Sequence, residues 1–286
     1  MHAAPSLVFF TTLSGLGLGL LTWLGIDPTP PTGWVALVFF ALGHGLTLAG
    51  LGASALHLRR PERALKAFTQ WRTSWLSREA WASAAALGVM GLHGLLLMLG
   101  VVVLPLGWLG AALALVTVGT TSMIYAQLRT VPRWHHWTTP ALFLWLSLTG
   151  GALLAGRAGV ALGMLPLAGA LQLYTWWDGD GRFARAGTSL ETATGLENAS
   201  RPLFPPHTGS NYVMREMAGT VARRHVTKLR AIALFLMAIL PVALPLPLPH
   251  VLGVLALVSH VAGVLVSRWL FFAEAEHVVS LYYGRR

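Results

Sequence analysis

The chain alternates long apolar runs with polar connections. Each run approaches the roughly 20 residues that a helix needs to cross a bilayer, so the pattern predicts an all-α polytopic membrane protein. We predict a bundle of eight transmembrane helices in one integral-membrane domain, residues 1–286. The fifth span is the shortest, and the first lacks the basic leader of a signal peptide. The predicted spans are 7–25, 34–56, 79–104, 109–128, 140–155, 160–177, 229–246 and 250–272.

Proline and tryptophan mark the ends of these runs. Proline cannot continue a helix, and Pro105 and the prolines near residues 30 and 247 are therefore predicted to lie in turns. Tryptophan favours the headgroup region, so an aromatic belt is predicted. Its members are Trp23, Trp34, Trp108, Trp134, Trp137, Trp176, Trp177 and Trp269.

Basic residues are strongly biased to one side of this topology. Of 20 Lys and Arg residues, all but Arg157 fall on the side that carries the N-terminus, if Arg268 is counted with the C-terminal end. The positive-inside rule then predicts a bacterial inner (cytoplasmic) membrane protein with both termini cytoplasmic. The long loop 178–226 is predicted to be cytoplasmic as well, as either a flexible linker or a docking surface.

Composition narrows the function classes. Hydrophobic residues make up 55% of the chain and charged residues 10%, which excludes a soluble fold. The net charge of +10 is explained by topology, and no nucleic acid partner is expected. Absence of cysteine excludes thiolate-held iron–sulfur clusters and covalent haem attachment in this chain. His135, His136 and the acids at 178 and 180 have no convincing metal-ligand spacing, so no metal is predicted.

Two ionisable residues flank the first basic loop. His57 directly follows the second predicted span, and Glu79 begins the third. A quinol oxidation site needs hydrogen-bond partners for the ring oxygens and an acceptor for protons, tasks that histidine and a carboxylate can perform. Arg60 is a further candidate for contacting a ring oxygen. The alternatives are that Glu79 is a first-turn residue that stabilises the helix dipole and that the arginines contact lipid.

Other polar and small residues lie within the spans. His44, His93 and His260 fall near mid-bilayer, where two facing histidines could hold a b-type haem. The alternative is a hydrogen bond to a neighbouring helix. The glycines of the segment GLGLGL at residues 15–20 are interpreted as positions of close helix approach rather than a nucleotide-binding loop.

Five segments resemble the DmsC-type membrane anchor subunit of dimethyl sulfoxide reductase, a group broadly related to NrfD-type quinol-interacting subunits. The likeness extends over essentially the whole chain and is strongest in HLRRPERALKAFTQWRTSWLSRE. The segments are 2–21, 57–79, 123–154, 223–236 and 268–284.

The resemblance implies an electron-transfer subunit that exchanges electrons between quinol and an iron–sulfur subunit and anchors a molybdopterin catalytic subunit in a heterotrimer. It implies that His57 and Glu79 bind quinol, with menaquinol or ubiquinol as the exchangeable cofactor and no haem or metal in this subunit. Arg59 departs from the glycine that the family often carries in HLGRP. A cytoplasm-facing sulfite dehydrogenase that reduces quinone remains an alternative, as do a haem b subunit and a secondary transporter.

Overall fold

The computed structural model describes residues 4–56, 61–195, 225–244 and 250–283, and these residues are helical with short connections. Nine α-helices are found among them. They are α1 (Pro5–Gly25), α2 (Gly33–Ala55), α3 (Trp75–Met98), α4 (Leu104–Ala126), α5 (Thr138–Leu154), α6 (Ala158–Arg185), α7 (Leu190–Thr194), α8 (Val226–Ala243) and α9 (His250–Ala273). Two 3-10 helices, Pro61–Phe68 and Val278–Tyr283, accompany them.

Seven of the described helices are long and apolar enough to cross a membrane, namely α1 to α4, α6, α8 and α9. The predicted all-α membrane bundle is therefore confirmed, but the count of eight is not. The fifth predicted span corresponds to α5, whose 17 residues give a length of about 26 Å, short of the roughly 30 Å hydrocarbon core.

Helix α1 lies at the centre of the bundle, packed against α2, α4, α5 and α9. Its glycines make this possible, as predicted. A Cβ on Gly19 would overlap the backbone of Ser147 and Gly151 on α5, and a Cβ on Gly17 would overlap the backbone of α2. Small residues thus allow helix backbones to approach within the membrane.

Helix boundaries differ from the prediction at several points. Helix α3 ends at Met98 rather than 104 and α4 begins at Leu104 rather than 109, so Pro105 lies in the first turn of α4 and not in a turn between helices. At two other boundaries, charged residues do not end the helix. Helix α3 begins at Trp75 rather than 79, since Arg78 turns back to donate to the Trp71 and Arg72 carbonyls. Helix α6 continues to Arg185 rather than ending at 177, so the predicted loop begins later. Residues 196–224 of that loop lie outside the described residues.

The predicted aromatic belt is correct for part of its members. Trp34, Trp108 and Trp137 are exposed near helix ends, as an interfacial ring should be. Trp177 is exposed as well, but it lies about two turns before the end of α6. Trp134 and Trp176 are buried instead. Trp134 packs with Tyr125 and Phe271 in an aromatic core, and its indole N–H donates to the Phe271 carbonyl at 2.9 Å.

Ion pairs join the connections at each end of the bundle. At one end, Asp27 after α1 pairs with Arg157 before α6. Burial alone would raise the pKa of Asp27, but the Thr29 backbone N–H and Arg157 outweigh it and hold the pKa below its ordinary value. At the other end, Arg133, Asp180, Arg230 and Glu274 form the loop-side charge cluster.

The loop-side charge cluster links four segments of the chain. Arg133 and Arg230 each contact Asp180 at 2.6 Å, and they contact Glu274 at 2.7 and 2.8 Å. Two cations and two anions therefore balance. The cluster fixes the connection before α5 against the ends of α6, α8 and α9, so segments predicted to share one membrane face do lie together.

Candidate functional site

Glu79 lies one turn inside α3 and is 3% exposed. This position corrects the alternative in which Glu79 stabilises the helix dipole, because no acidic residue lies in the first turn of α3. The carboxyl instead points into the bundle. An ionisable group buried within a membrane helix is costly and is by default a functional candidate.

The connection before α3 is fastened to the helix that carries Glu79. The Ser77 hydroxyl donates to the Ala67 carbonyl, and the Trp81 indole N–H donates to the Phe68 carbonyl at 3.1 Å. The Phe68 and Trp81 rings meet edge to face, with centroids 5.2 Å apart. These contacts dock the 3-10 helix against the first turns of α3 and fix the surroundings of Glu79.

Thr121 of α4 is the hydrogen-bond partner of Glu79. Its Oγ1 lies 2.5 Å from Glu79 Oε1 and 3.0 Å from the Thr117 carbonyl oxygen. The Thr117 carbonyl also accepts from Thr120 Oγ1 at 2.8 Å, so the Thr121 hydroxyl is free to donate to Glu79. A hydroxyl can donate to a carboxylate or accept from a protonated carboxyl. The geometry therefore allows this carboxyl to take up and release a proton.

Tyr125 and Arg268 extend this polar region across the bundle. Tyr125, one turn beyond Thr121, is within electrostatic reach of both Glu79 and Arg268. Its ring packs against Phe143 and Phe271. Arg268 is 2% exposed and its guanidinium lies 3.5 Å from the centre of the Phe143 ring. Arg268 therefore lies within α9 and inside the bundle, and not with the basic residues of the C-terminal tail.

The other two predicted site residues, His57 and Arg60, lie outside the described residues. Their pairing with Glu79 stays a prediction. Sequence reasoning missed Thr121, Tyr125 and Arg268. The only signal for the first two was the four-residue spacing of polar side chains at 117, 121 and 125, which places them on one face of α4.

The three mid-span histidines occupy different surroundings. Both ring nitrogens of His44 contact carbonyl oxygens, of Phe40 at 2.7 Å and of Leu87 at 3.1 Å. His93 lies beside Phe40 of α2 and Gly107 of α4, whereas His260 lies beside Met237 of α8 and Gly150 of α5. No cluster of three or more potential metal ligands of the His, Cys, Asp and Glu types occurs among the described residues.

Comparison with known proteins gives a consistent result. The family model "DMSO reductase anchor subunit (DmsC)" matches residues 1–173. Over 99% of both chains, the sequence is 32% identical to a sulfite dehydrogenase subunit of Allochromatium vinosum. No solved structure matches the chain.

Proposed function

This chain belongs to the DMSO reductase anchor subunit (DmsC) family, and on that premise we propose that it passes electrons between membrane quinol and an iron–sulfur subunit. It is a multi-pass membrane anchor of an oxidoreductase complex, and an anchor subunit associates with catalytic subunits. The proposed complex is a heterotrimer that also contains a molybdopterin subunit. The buried Glu79 carboxyl is the observation that carries the quinol proposal.

In the proposed reaction, quinol binds beside Glu79 with His57 and Arg60 completing the contacts to the ring oxygens. Oxidation of one quinol releases two electrons and two protons. The electrons pass singly to an iron–sulfur cluster of the docked subunit. Glu79 accepts one proton at a time and passes it to water, while Thr121 holds the carboxyl in place. This division of labour matches general base catalysis by a positioned carboxylate.

A second candidate is electron flow in the reverse direction, from the iron–sulfur subunit to quinone. The name of the Allochromatium vinosum relative, a sulfite dehydrogenase subunit, favours this direction. A complex that oxidises sulfite would deliver electrons to quinone, and Glu79 would then donate protons to the reduced ring. The quinone in either direction is ubiquinone or menaquinone. Assaying the purified complex with sulfite and with dimethyl sulfoxide, each against both quinones, separates these alternatives.

The test of the proposal is quinol-dependent turnover in the assembled complex. We expect Glu79→Gln, which keeps the shape but cannot accept a proton, to abolish it, and His57→Arg to do the same. Assembly and turnover with an artificial dye should persist, because neither requires the quinol site. Glu276→Gln makes the same change of charge outside the membrane helices and should retain quinol turnover. Normal quinol turnover in both site variants would contradict the proposal.

A further inference from the structure

A small cavity lies between α1, α5 and α9, and Glu79 is not among the residues that line it. We call it the inner cavity, and it has room for about one or two water molecules. Its walls are largely apolar, but Thr12, Ser147, His260 and Arg268 also line it. Three of these residues carry buried polar atoms without a hydrogen-bond partner: Thr12 Oγ1, His260 Nε2, and Arg268 Nε and Nη1.

Helix α8 contains a π-helical segment, Phe235–Ile239, which orients His260 toward this cavity. Pro241 has no N–H to bond the Met237 carbonyl, four residues earlier. His260 Nδ1 lies 2.7 Å from that carbonyl oxygen and donates to it, which leaves Nε2 facing the cavity. The Leu146 carbonyl lies nearby but does not complete a hydrogen bond with Nε2. Ser259 likewise donates to the Leu236 carbonyl, at 2.7 Å. The carbonyl oxygens of the π-helical segment thus accept hydrogen bonds from side chains of α9.

Arg268 lacks a counter-charge among the described residues. Each of the ion pairs found there involves other residues, and the guanidinium cannot lose its proton in a protein. The cation–π contact with Phe143 stabilises Arg268 by less free energy than the burial of an isolated charge costs. Water could satisfy the free N–H groups, but it would leave the charge uncompensated. A bound anion would do both.

We propose that the inner cavity binds one small monovalent anion of halide size, held by Arg268 and Thr12. The ion accepts hydrogen bonds from the guanidinium and the threonine hydroxyl. A water molecule fills the remaining space and donates to His260 Nε2. The ion supplies the counter-charge that lets Arg268 remain buried between α1, α5 and α9. This function is separate from quinol binding and does not depend on it.

Two further cavities share lining residues with the inner cavity or with each other. The inner cavity shares Arg268 with a second cavity, which is also lined by Gln172, Ser267 and Arg133. The second cavity shares Arg133 and Glu274 with a third, more polar cavity at the loop-side charge cluster. The third cavity is lined by the carboxylates of Asp180, Glu274 and Glu276 beside Arg133, so an anion is favoured at Arg268 and not at the loop-side charge cluster.

The test is the thermal stability of the purified full-length chain in detergent. Sodium chloride or bromide replaces sodium gluconate at constant ionic strength, because gluconate is too large for the cavity. A ligand that binds only the folded state raises Tm in a saturable way. We expect this rise with both halides. Identical Tm values in all three salts would overturn the proposal.

Two threonine variants on α1 make the test specific. Thr12→Val removes the unpartnered hydroxyl and should raise the half-saturating halide concentration about tenfold or more, while costing no stability in gluconate. Thr22→Val removes a buried hydroxyl that donates to Leu18 within its own helix, and should leave the halide response unchanged. Arg268→Gln should abolish the response. If Thr12→Val and Thr22→Val had the same half-saturating halide concentration, the proposed site would be overturned.

Discussion

Thr121→Val tests whether Glu79 acts through its hydrogen-bonded position. The variant keeps the shape of the side chain but removes the hydroxyl that lies 2.5 Å from the carboxyl oxygen. A hydrogen bond to a charged group contributes about 1.5–3 kcal/mol, and about 1.4 kcal/mol corresponds to a factor of ten in rate. We therefore expect kcat with quinol to fall about ten- to hundredfold, because the carboxyl is no longer held in place.

The matched control for Thr121→Val is a substitution of the neighbouring residue, Thr120. Thr120→Val removes a hydroxyl that donates to the Thr117 carbonyl at 2.8 Å and makes no contact with Glu79. We expect it to keep near-normal quinol turnover, and Thr121→Ser to recover most of the lost rate. Dye-dependent turnover should be equal in all three variants. Equal quinol turnover in the two valine variants would refute the positioning role of Thr121.

Three further predictions concern stability, measured as the free energy of unfolding in detergent. Gly19→Ala should lower the free energy of unfolding by about 3 kcal/mol, because the added Cβ meets the α5 backbone. Gly45→Ala should not destabilise the protein, because its Cβ meets no neighbour within 4 Å. Equal effects of the two substitutions would contradict the close approach of α1 and α5. Glu274→Gln should cost about 2 kcal/mol, because it leaves two partly buried guanidinium groups undercompensated. Glu276→Gln, outside these ion pairs, should cost little. Asp27→Asn should cost about 0.5 kcal/mol at pH 7. Because the folded-state pKa of Asp27 is lowered, that difference should shrink as the pH falls below the ordinary value of 3.8 and the carboxylate becomes protonated. A difference that persists in acid would contradict the ion pair.

The hydropathy of the sequence predicted the bundle well but misplaced helix ends. Apolar runs locate membrane helices because their length must match the bilayer. Charged residues interrupt those runs but do not end every helix. In the structure Arg78 lies in the first turn of α3 and contacts loop carbonyls, and Asp178 lies within α6 and pairs with Arg182. Local partners allow charges to continue a helix beyond its apolar part.

The site was only partly accessible from sequence for a similar reason. Glu79 could be selected because an acid at the edge of an apolar run is rare. Its partner Thr121 is 42 residues away, and only packing of α3 against α4 brings the two together. Arg268 looked like one more positive charge near a terminus, yet the fold buries it against Phe143. A one-dimensional pattern does not reveal which face of a helix is covered.

The central claim is that the head group of quinol binds beside Glu79, between α3 and α4. Photolabelling of the assembled complex with an azidoquinone, followed by peptide mass spectrometry, tests this most directly. The account predicts labelling on the first two turns of α3 or on α4 around Thr121, and loss of that labelling in excess quinol. Labelling that excess quinol displaces, but that is confined to helices away from Glu79, would contradict it.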